Sequence, residues 1–170
     1  QIVSILAQAP EWPGVRGMDP ALLRQGVRDS SITIPPAEDT VVARTEDRSI
    51  AGPLGDLPLR LYWPLGDGPF PVTIYMHGGG YVTGDLVAVD YALAPEHKFP
   101  AGPDDAWAAL NWAAEQASEI GGDSARLAVA GDSAGGNMAC ALALRSRDAG
   151  GPALRAQINI YGSCNYPGED

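Results

Sequence analysis

Residues 127–136 read LAVAGDSAGG and join a short apolar run to a segment with helical periodicity. Within this stretch Gly131, Ser133 and Gly135 form a G-x-S-x-G pattern. In this context the pattern is typical of a strand that turns sharply into a helix and presents the serine hydroxyl at the turn. The stretch therefore predicts a nucleophilic Ser133. A glycine-rich end of a buried strand, without chemistry, is the alternative interpretation.

Strand-like and helical segments alternate around this turn. Apolar runs that predict strands are followed by segments with helical spacing, and this rhythm is typical of a parallel α/β sheet. The predicted strands are residues 72–76, 86–91, 127–130 and 156–161, and the predicted helices are residues 104–120 and 137–147.

The N-terminal third of the chain has a different pattern. Two short helices are predicted before residue 30, and the second begins at Asp19-Pro20, where Asp19 caps the helix and proline takes its first position. Residues 41–46 and 57–63 have strand character, with clear alternation in the second run, and a turn-rich segment separates them. This arrangement predicts an antiparallel pair of strands.

A second motif, HGGG at residues 77–80, follows the strand predicted at 72–76. A run of glycines lets backbone N–H groups approach a substrate without interference from side chains, as an oxyanion hole requires. Phosphate-binding loops are excluded, because Thr83 and Asp85 stand where those motifs need glycine and lysine. No nucleotide cofactor is expected.

Three blocks of this sequence together resemble a known family. HGGG at 77–80, DYALAPE at 90–96 and GDSAGG at 131–136 resemble the signature blocks of the bacterial hormone-sensitive-lipase-like carboxylesterases. The resemblance implies the α/β-hydrolase fold, with a mostly parallel sheet flanked by helices. It also implies an N-terminal helical cap segment over residues 1–38 and a partial hydrolase core over residues 39–170.

The resemblance assigns roles to individual residues. It implies that Ser133 is the nucleophile and that the backbone N–H groups of Gly79, Gly80 and Ala134 bind the oxyanion. Four further residues of the blocks are expected to shape their loops rather than to react: His77, Gly78, Asp132 and Glu96. The expected partner is a small ester, and neither a metal nor a cofactor is expected.

Composition excludes several other classes of function. The formal net charge of −10 disfavours nucleic acid as a partner. The longest apolar run, residues 138–144, is too short to span a membrane. Cys140 and Cys164 lack the spacing of a zinc site and are too few for a disulfide framework, so a reducing cytoplasm is expected. The sequence leaves open whether copies of the chain assemble.

The chain lacks part of what a serine hydrolase needs. In this fold the nucleophile is followed by an acid and then by a histidine, but no histidine follows Ser133. His97, which lies upstream, is the alternative base. The nine residues at 77–85 are also too few for a parallel crossover. We therefore predict an internal gap near residues 85–87 and a missing C-terminal part.

Two functions follow from these patterns. The first is a serine carboxylesterase that hydrolyses short-chain acyl esters through an acyl-serine intermediate. The second is a catalytically inactive ligand-binding protein, similar to the gibberellin receptors, which resemble this family and lack the catalytic histidine.

Overall fold

The computed structural model describes residues 17–31, 41–84 and 88–164. Within these ranges three α-helices and five strands follow one another. In order they are α1 (Pro20–Ser31), β1 (Arg44–Gly52), β2 (Gly55–Trp63), β3 (Phe70–Met76), α2 (Ala101–Gln116), β4 (Gly122–Asp132), α3 (Ala134–Ala149) and β5 (Leu154–Ile160), with a short 3₁₀ helix at Ser118–Ile120 before β4.

Helix α1 begins where the sequence predicts. The Asp19 carboxylate accepts a hydrogen bond from the Ala21 N–H at 2.8 Å, and the Asp19 carbonyl accepts one from the Leu23 N–H at 3.1 Å. Pro20 occupies the first helical position, where its missing N–H costs nothing. The second of the two predicted N-terminal helices is confirmed. The first lies outside the described residues.

Strands β1 and β2 form the predicted antiparallel hairpin. Gly52 pairs with Gly55, so the connection is a two-residue turn and both strands reach further toward it than the sequence indicates. Ile50, Leu57 and Leu59 are buried. Because alternate residues of a strand face opposite sides, one face of the hairpin packs on the core while the other is solvated.

The central sheet consists of three parallel strands in the order β3-β4-β5. Residues from the sheet and from α2 and α3 form one core, in which Met76, Leu110, Val129 and Ala139 are completely buried. Helices α2 and α3 pack against these strands, as is typical of a parallel sheet. The α/β class is therefore confirmed. The strand predicted at 127–130 and the helix predicted at 137–147 are present with longer bounds, whereas the helix predicted at 104–120 ends at Gln116 and the strand predicted at 156–161 ends at Ile160.

The strand predicted at residues 86–91 is wrong for its described part. Residues 88–91 contribute a single bridge, in which Val89 pairs with Leu59 of β2 in the antiparallel direction. The Arg60 N–H donates to Ala88 O at 2.9 Å, and the Asp90 N–H donates to Pro58 O at 3.1 Å. The apolar pattern correctly indicated burial of Val89, but β2 rather than β3 supplies its partners.

The two cysteines are paired, contrary to the sequence-based expectation. Cys140 on α3 and Cys164, four residues beyond the end of β5, form a disulfide with Cα atoms 6.4 Å apart. They lie 24 residues apart in the chain. Only the packing of α3 against β5 brings them together, so their spacing carried no signal of the pairing.

Candidate active site

Ser133 occupies a strained turn between β4, which ends at Asp132, and α3, which starts at Ala134. Its backbone has φ 50° and ψ −116°, an unusual conformation for a residue with a side chain. Such strain costs ~1–3 kcal/mol and persists only where neighbouring structure enforces it. Here the Ser133 N–H donates to Ile160 O at 2.9 Å and the Asn137 N–H donates to Ser133 O at 3.0 Å. The residue is exposed, which is compatible with the predicted nucleophile.

The start of α3 lies against the end of β3 with no room for a side chain. A Cβ atom at Gly135 would lie 2.0 Å from Met76 O and 2.7 Å from His77 O. Glycine at this position therefore allows the HGGG loop to begin in direct contact with the turn that carries Ser133. The G-x-S-x-G pattern thus reflects a close backbone approach as well as a turn.

Asp132, the residue before Ser133, connects the HGGG loop to the turn that carries Ser133. Its Oδ1 accepts hydrogen bonds from the Gly78 N–H at 2.9 Å and from the Tyr75 hydroxyl at 2.8 Å, and its Oδ2 accepts one from the Tyr161 hydroxyl at 3.4 Å. Burial and the bond to Asp132 raise the pKa of Tyr75 to about 12, so this phenol remains a donor at neutral pH. The placement fits the loop-shaping role expected of Asp132 and Gly78.

Hydrogen bonds to the carbonyl of Gly79, the third residue of the HGGG block, close the loop into a turn. Gly79 O accepts hydrogen bonds from the N–H groups of Val82 and Thr83 at 3.1 and 2.9 Å and from the Thr83 hydroxyl at 3.1 Å. Gly79 and Gly80 have φ values of 116° and 61°, which favour glycine, and both are exposed. The N–H groups of Gly79, Gly80 and Ala134 remain the predicted oxyanion donors.

His77 is a buried residue of this loop. Its ring stacks on Tyr91 with centroids 4.2 Å apart, its Nδ1 lies 2.7 Å from Gly78 O, and the Tyr91 hydroxyl donates to His77 O at 2.7 Å. Burial raises the pKa of Tyr91. These contacts join the 77–80 and 90–96 blocks and fit the anchoring role expected of His77.

Glu96 and His97 lie at the end of the second block. Glu96 forms an ion pair with Arg24 of α1, with Nη2 2.7 Å from Oε2. This contact fits the part expected of Glu96 in holding the turn. His97 is exposed, and its backbone N–H donates to Leu93 O at 2.9 Å. Within the described part of the chain no hydrogen bond connects His97 to Ser133, and His97 as the alternative base stays a prediction.

A largely apolar cavity of about 520 Å³ lies between α1 and the HGGG loop. The side chains of Leu23 and Val27 line it from α1, and Gly79 and Gly80 line it from the loop. Met18, Pro20, Val82, Thr83, Ala94 and Pro95 complete the lining. The cavity thus adjoins the predicted oxyanion donors.

Sequence analysis did not predict several residues that shape this site. Tyr75 supports Asp132, and Tyr81 donates its hydroxyl to Asn137 Oδ1 in the first turn of α3 at 2.6 Å. Arg24 bonds the loop from α1. All of these contacts join residues at least 56 positions apart. Only the positions of Tyr75 and Tyr81 beside the HGGG block could have drawn attention to them.

Comparison with known proteins decides the family. A family profile described as the alpha/beta hydrolase fold matches residues 85–170, half of the chain. The chain belongs to the α/β-hydrolase fold family. The fold class expected from the sequence and from the resemblance is therefore confirmed.

Relatives of this α/β hydrolase are named as esterases. Carboxylesterase NlhH of Mycobacterium tuberculosis is 46% identical over 138 residues, covering 69% of this chain and 43% of the relative. Ethyl acetate hydrolase of Pseudomonas putida is 40% identical over 139 residues, covering 65% of this chain and 43% of the relative. The chain thus spans less than half the length of these relatives.

Solved structures agree with the sequence relatives. An esterase from Pyrobaculum calidifontis superposes with a TM-score of 0.85 at 35% identity, covering 96% of this chain and 58% of that one.

Within residues 17–31, 41–84 and 88–164, none of the helices combines the length and apolarity needed to cross a bilayer. The same residues contain no cluster of three or more side chains suited to hold a metal ion.

Proposed function

We propose that this chain carries the nucleophile and the oxyanion-binding half of a serine carboxylesterase that acts on short-chain acyl esters. The observation that carries the proposal is the exposed Ser133 on a strained turn, directly beside a glycine loop that Asp132 holds in place. The named activities of the relatives support the same reaction class. No step of this reaction requires a cofactor.

The proposed reaction has two steps. Ser133 Oγ attacks the ester carbonyl carbon while a base removes its proton, and N–H groups of Gly79, Gly80 and Ala134 stabilise the negative oxygen of the tetrahedral intermediate. The alcohol then leaves with that proton, and an acyl-Ser133 ester remains. Water attacks the acyl carbonyl through the same base, so that the carboxylic acid is released and the hydroxyl of Ser133 is restored.

The base and the acid that orients it are proposed to come from outside residues 1–170. His77 is buried in its loop, and no described hydrogen bond joins His97 to Ser133, which supports a base from outside these residues. A triad that lacks one member retains only ~10³–10⁴-fold acceleration over water. Residues 1–170 alone should therefore be nearly inactive. The naturally expressed gene product should hydrolyse short-chain acyl esters with multiple turnovers.

Covalent labelling tests this proposal. A fluorophosphonate should label Ser133 in the gene product, and Ser133→Ala should abolish both labelling and hydrolysis of p-nitrophenyl acetate. Ser124→Ala, at the opposite end of β4, is the matched control and should retain both. Absence of labelling in a folded gene product would favour the ligand-binding alternative instead. Full activity of residues 1–170, lost in His97→Ala, would identify His97 as the base.

The location and the assembly of the protein also remain proposals. We propose a small ester as the partner of this chain, and the assembly of copies into a homo-oligomer stays as open as the sequence leaves it. We also propose a cytoplasmic location, although the pairing of Cys140 with Cys164 removes the argument from unpaired cysteines.

A further inference from the structure

Helix α1 buries few of its apolar side chains against the described part of the protein. None of the side chains from Pro20 to Asp29 is fully buried, and Leu22 is 69% exposed. Leu23 is partly covered, and Val27 is 37% exposed. Because apolar burial is the main source of attachment between packed elements, a helix that buries this little needs another anchor.

Arg24 is that anchor. Its Nε donates to Val82 O at 2.8 Å and its Nη2 donates to Ala94 O at 2.9 Å. Nη1 donates to Glu96 Oε1 at 2.9 Å, and Nη2 also donates to Glu96 Oε2 at 2.7 Å. The Arg24 side chain is 21% exposed, although it starts from an otherwise exposed helix. A planar guanidinium suits such a set of acceptors, which an ammonium group would only partly satisfy.

The acceptors of Arg24 belong to the segments that border the HGGG loop. Val82 lies two residues after Gly80, and the Ala94 N–H donates to Tyr81 O at 2.8 Å, so residues 81–82 and 94 form one bonded unit. The guanidinium bridges this unit from the side of α1. It therefore determines how closely α1 approaches the loop.

The cavity between α1 and the loop depends on that approach. Leu23 precedes Arg24 in the sequence, Val27 follows it by three residues, and both line the cavity opposite Gly79 and Gly80. The HGGG loop itself has other supports, namely the turn closed on Gly79 O and the bond from the Gly78 N–H to Asp132. The bonds of Arg24 to Val82, Ala94 and Glu96 form the Arg24 clamp. Loss of this clamp should therefore release the cavity wall formed by α1 and leave the proposed oxyanion donors in place.

We propose that Arg24 is a positioning residue that sets the width of this cavity, and that the cavity receives the apolar arm of the ester. The inference rests on the proposed esterase function and adds a determinant of chain-length preference. Each methylene buried in a closed cavity contributes about 0.8 kcal/mol, or about fourfold in binding. An enzyme with an intact clamp should therefore gain kcat/KM as the arm lengthens.

The test uses two series of esters on the natural gene product. One series lengthens the acyl arm from p-nitrophenyl acetate to hexanoate, and the other lengthens the alcohol arm of an acetate. In the wild-type protein one series should show rising kcat/KM. In Arg24→Met, which retains most of the side-chain stem, we expect that rise to collapse through KM, while kcat on p-nitrophenyl acetate changes by no more than about twofold.

Two further variants make the result specific. Arg28→Met removes the same charge one turn further along α1, where among the described residues Arg28 bonds Gln25 of its own helix, and should keep the wild-type profile. Arg24→Lys keeps the charge beside Glu96 but not the fork, and should restore part of the rise. A profile unchanged in an active Arg24→Met, or an equal loss on acetate and hexanoate, would overturn the inference. A wild-type protein that neither labels at Ser133 nor hydrolyses any ester would instead contradict the proposed function.

Discussion

Substitution of Gly135 by alanine perturbs the contact between the HGGG loop and the nucleophile turn most directly. The added Cβ would lie 2.0 Å from Met76 O, 2.5 Å from Met76 C and 2.7 Å from His77 O. Ordinary contact begins at 3.4 Å, so the end of β3 and the start of α3 must separate by about 1.4 Å. All three neighbouring atoms belong to the backbone, and none can rotate away.

This separation has two expected consequences. Overpacking of this kind costs ~1–3 kcal/mol in the free energy of unfolding. A misplacement of about 1 Å between reacting groups also lowers turnover by ~10²-fold. Gly135→Ala should therefore lose about two orders of magnitude in kcat on p-nitrophenyl acetate even where the protein is fully folded.

The assay separates the two effects. Urea unfolding followed by tryptophan fluorescence gives the free energy of unfolding, and kcat is measured where both proteins are folded. Gly26→Ala on α1 is the control, because its Cβ would meet nothing within 4 Å, and it should be neutral or stabilise by up to ~1 kcal/mol. Wild-type kcat in Gly135→Ala would show that turnover does not depend on the close contact between the HGGG loop and the Ser133 turn, and would refute this reasoning.

Two more predictions concern the pH dependence of the clamp and the length of the chain. The hydrogen bond from Arg24 lowers the pKa of Glu96 from 4.5 to about 2, so the stabilisation that Glu96→Gln removes should be complete above pH 4.5 and disappear as pH falls through about 2. Urea unfolding across this range checks it, and a difference that grows toward low pH would contradict it. The alignment with NlhH runs over 138 positions, whereas 69% of 170 residues is about 117, which leaves about 21 positions of the relative without a counterpart here. We therefore predict an intact mass above 17.7 kDa for the natural protein. Because residues 77–85 are too few for a parallel crossover, we expect the extra residues between Gly84 and Ala88, and a continuous Gly84–Ala88 peptide in the mass map would contradict this.

The groove beside β3 supports the second of these predictions. An open groove lies between β2 and β3 and is lined by Leu61, Val72 and Thr73. Ala88 also lines this groove. Apart from the bridge to Leu59, residues 88–91 leave the facing edges of the two strands unpaired by any described strand. A longer strand between them would satisfy those backbone groups.

The sequence by itself determined the local features of this protein. The start of α1 at Pro20, the strand-turn-helix around Ser133 and the alternation of strands and helices typical of a parallel sheet each follow from residue types over short distances. Capping, apolar periodicity and the need for glycine at close approaches are local requirements, so they are visible without coordinates. The three blocks also identified the family, because residues that meet at one site occur in a fixed order along the chain.

Only the tertiary structure decided which distant residues meet. Arg24 and Glu96 are 72 positions apart, Tyr75 and Asp132 are 57 apart, and nothing in their surroundings marks them as partners. Val89 pairs with β2, and Cys140 bonds Cys164, because the packing of whole elements sets those distances. A side chain's chemistry shows what it can bind, but its partner depends on where the fold places both ends of the contact.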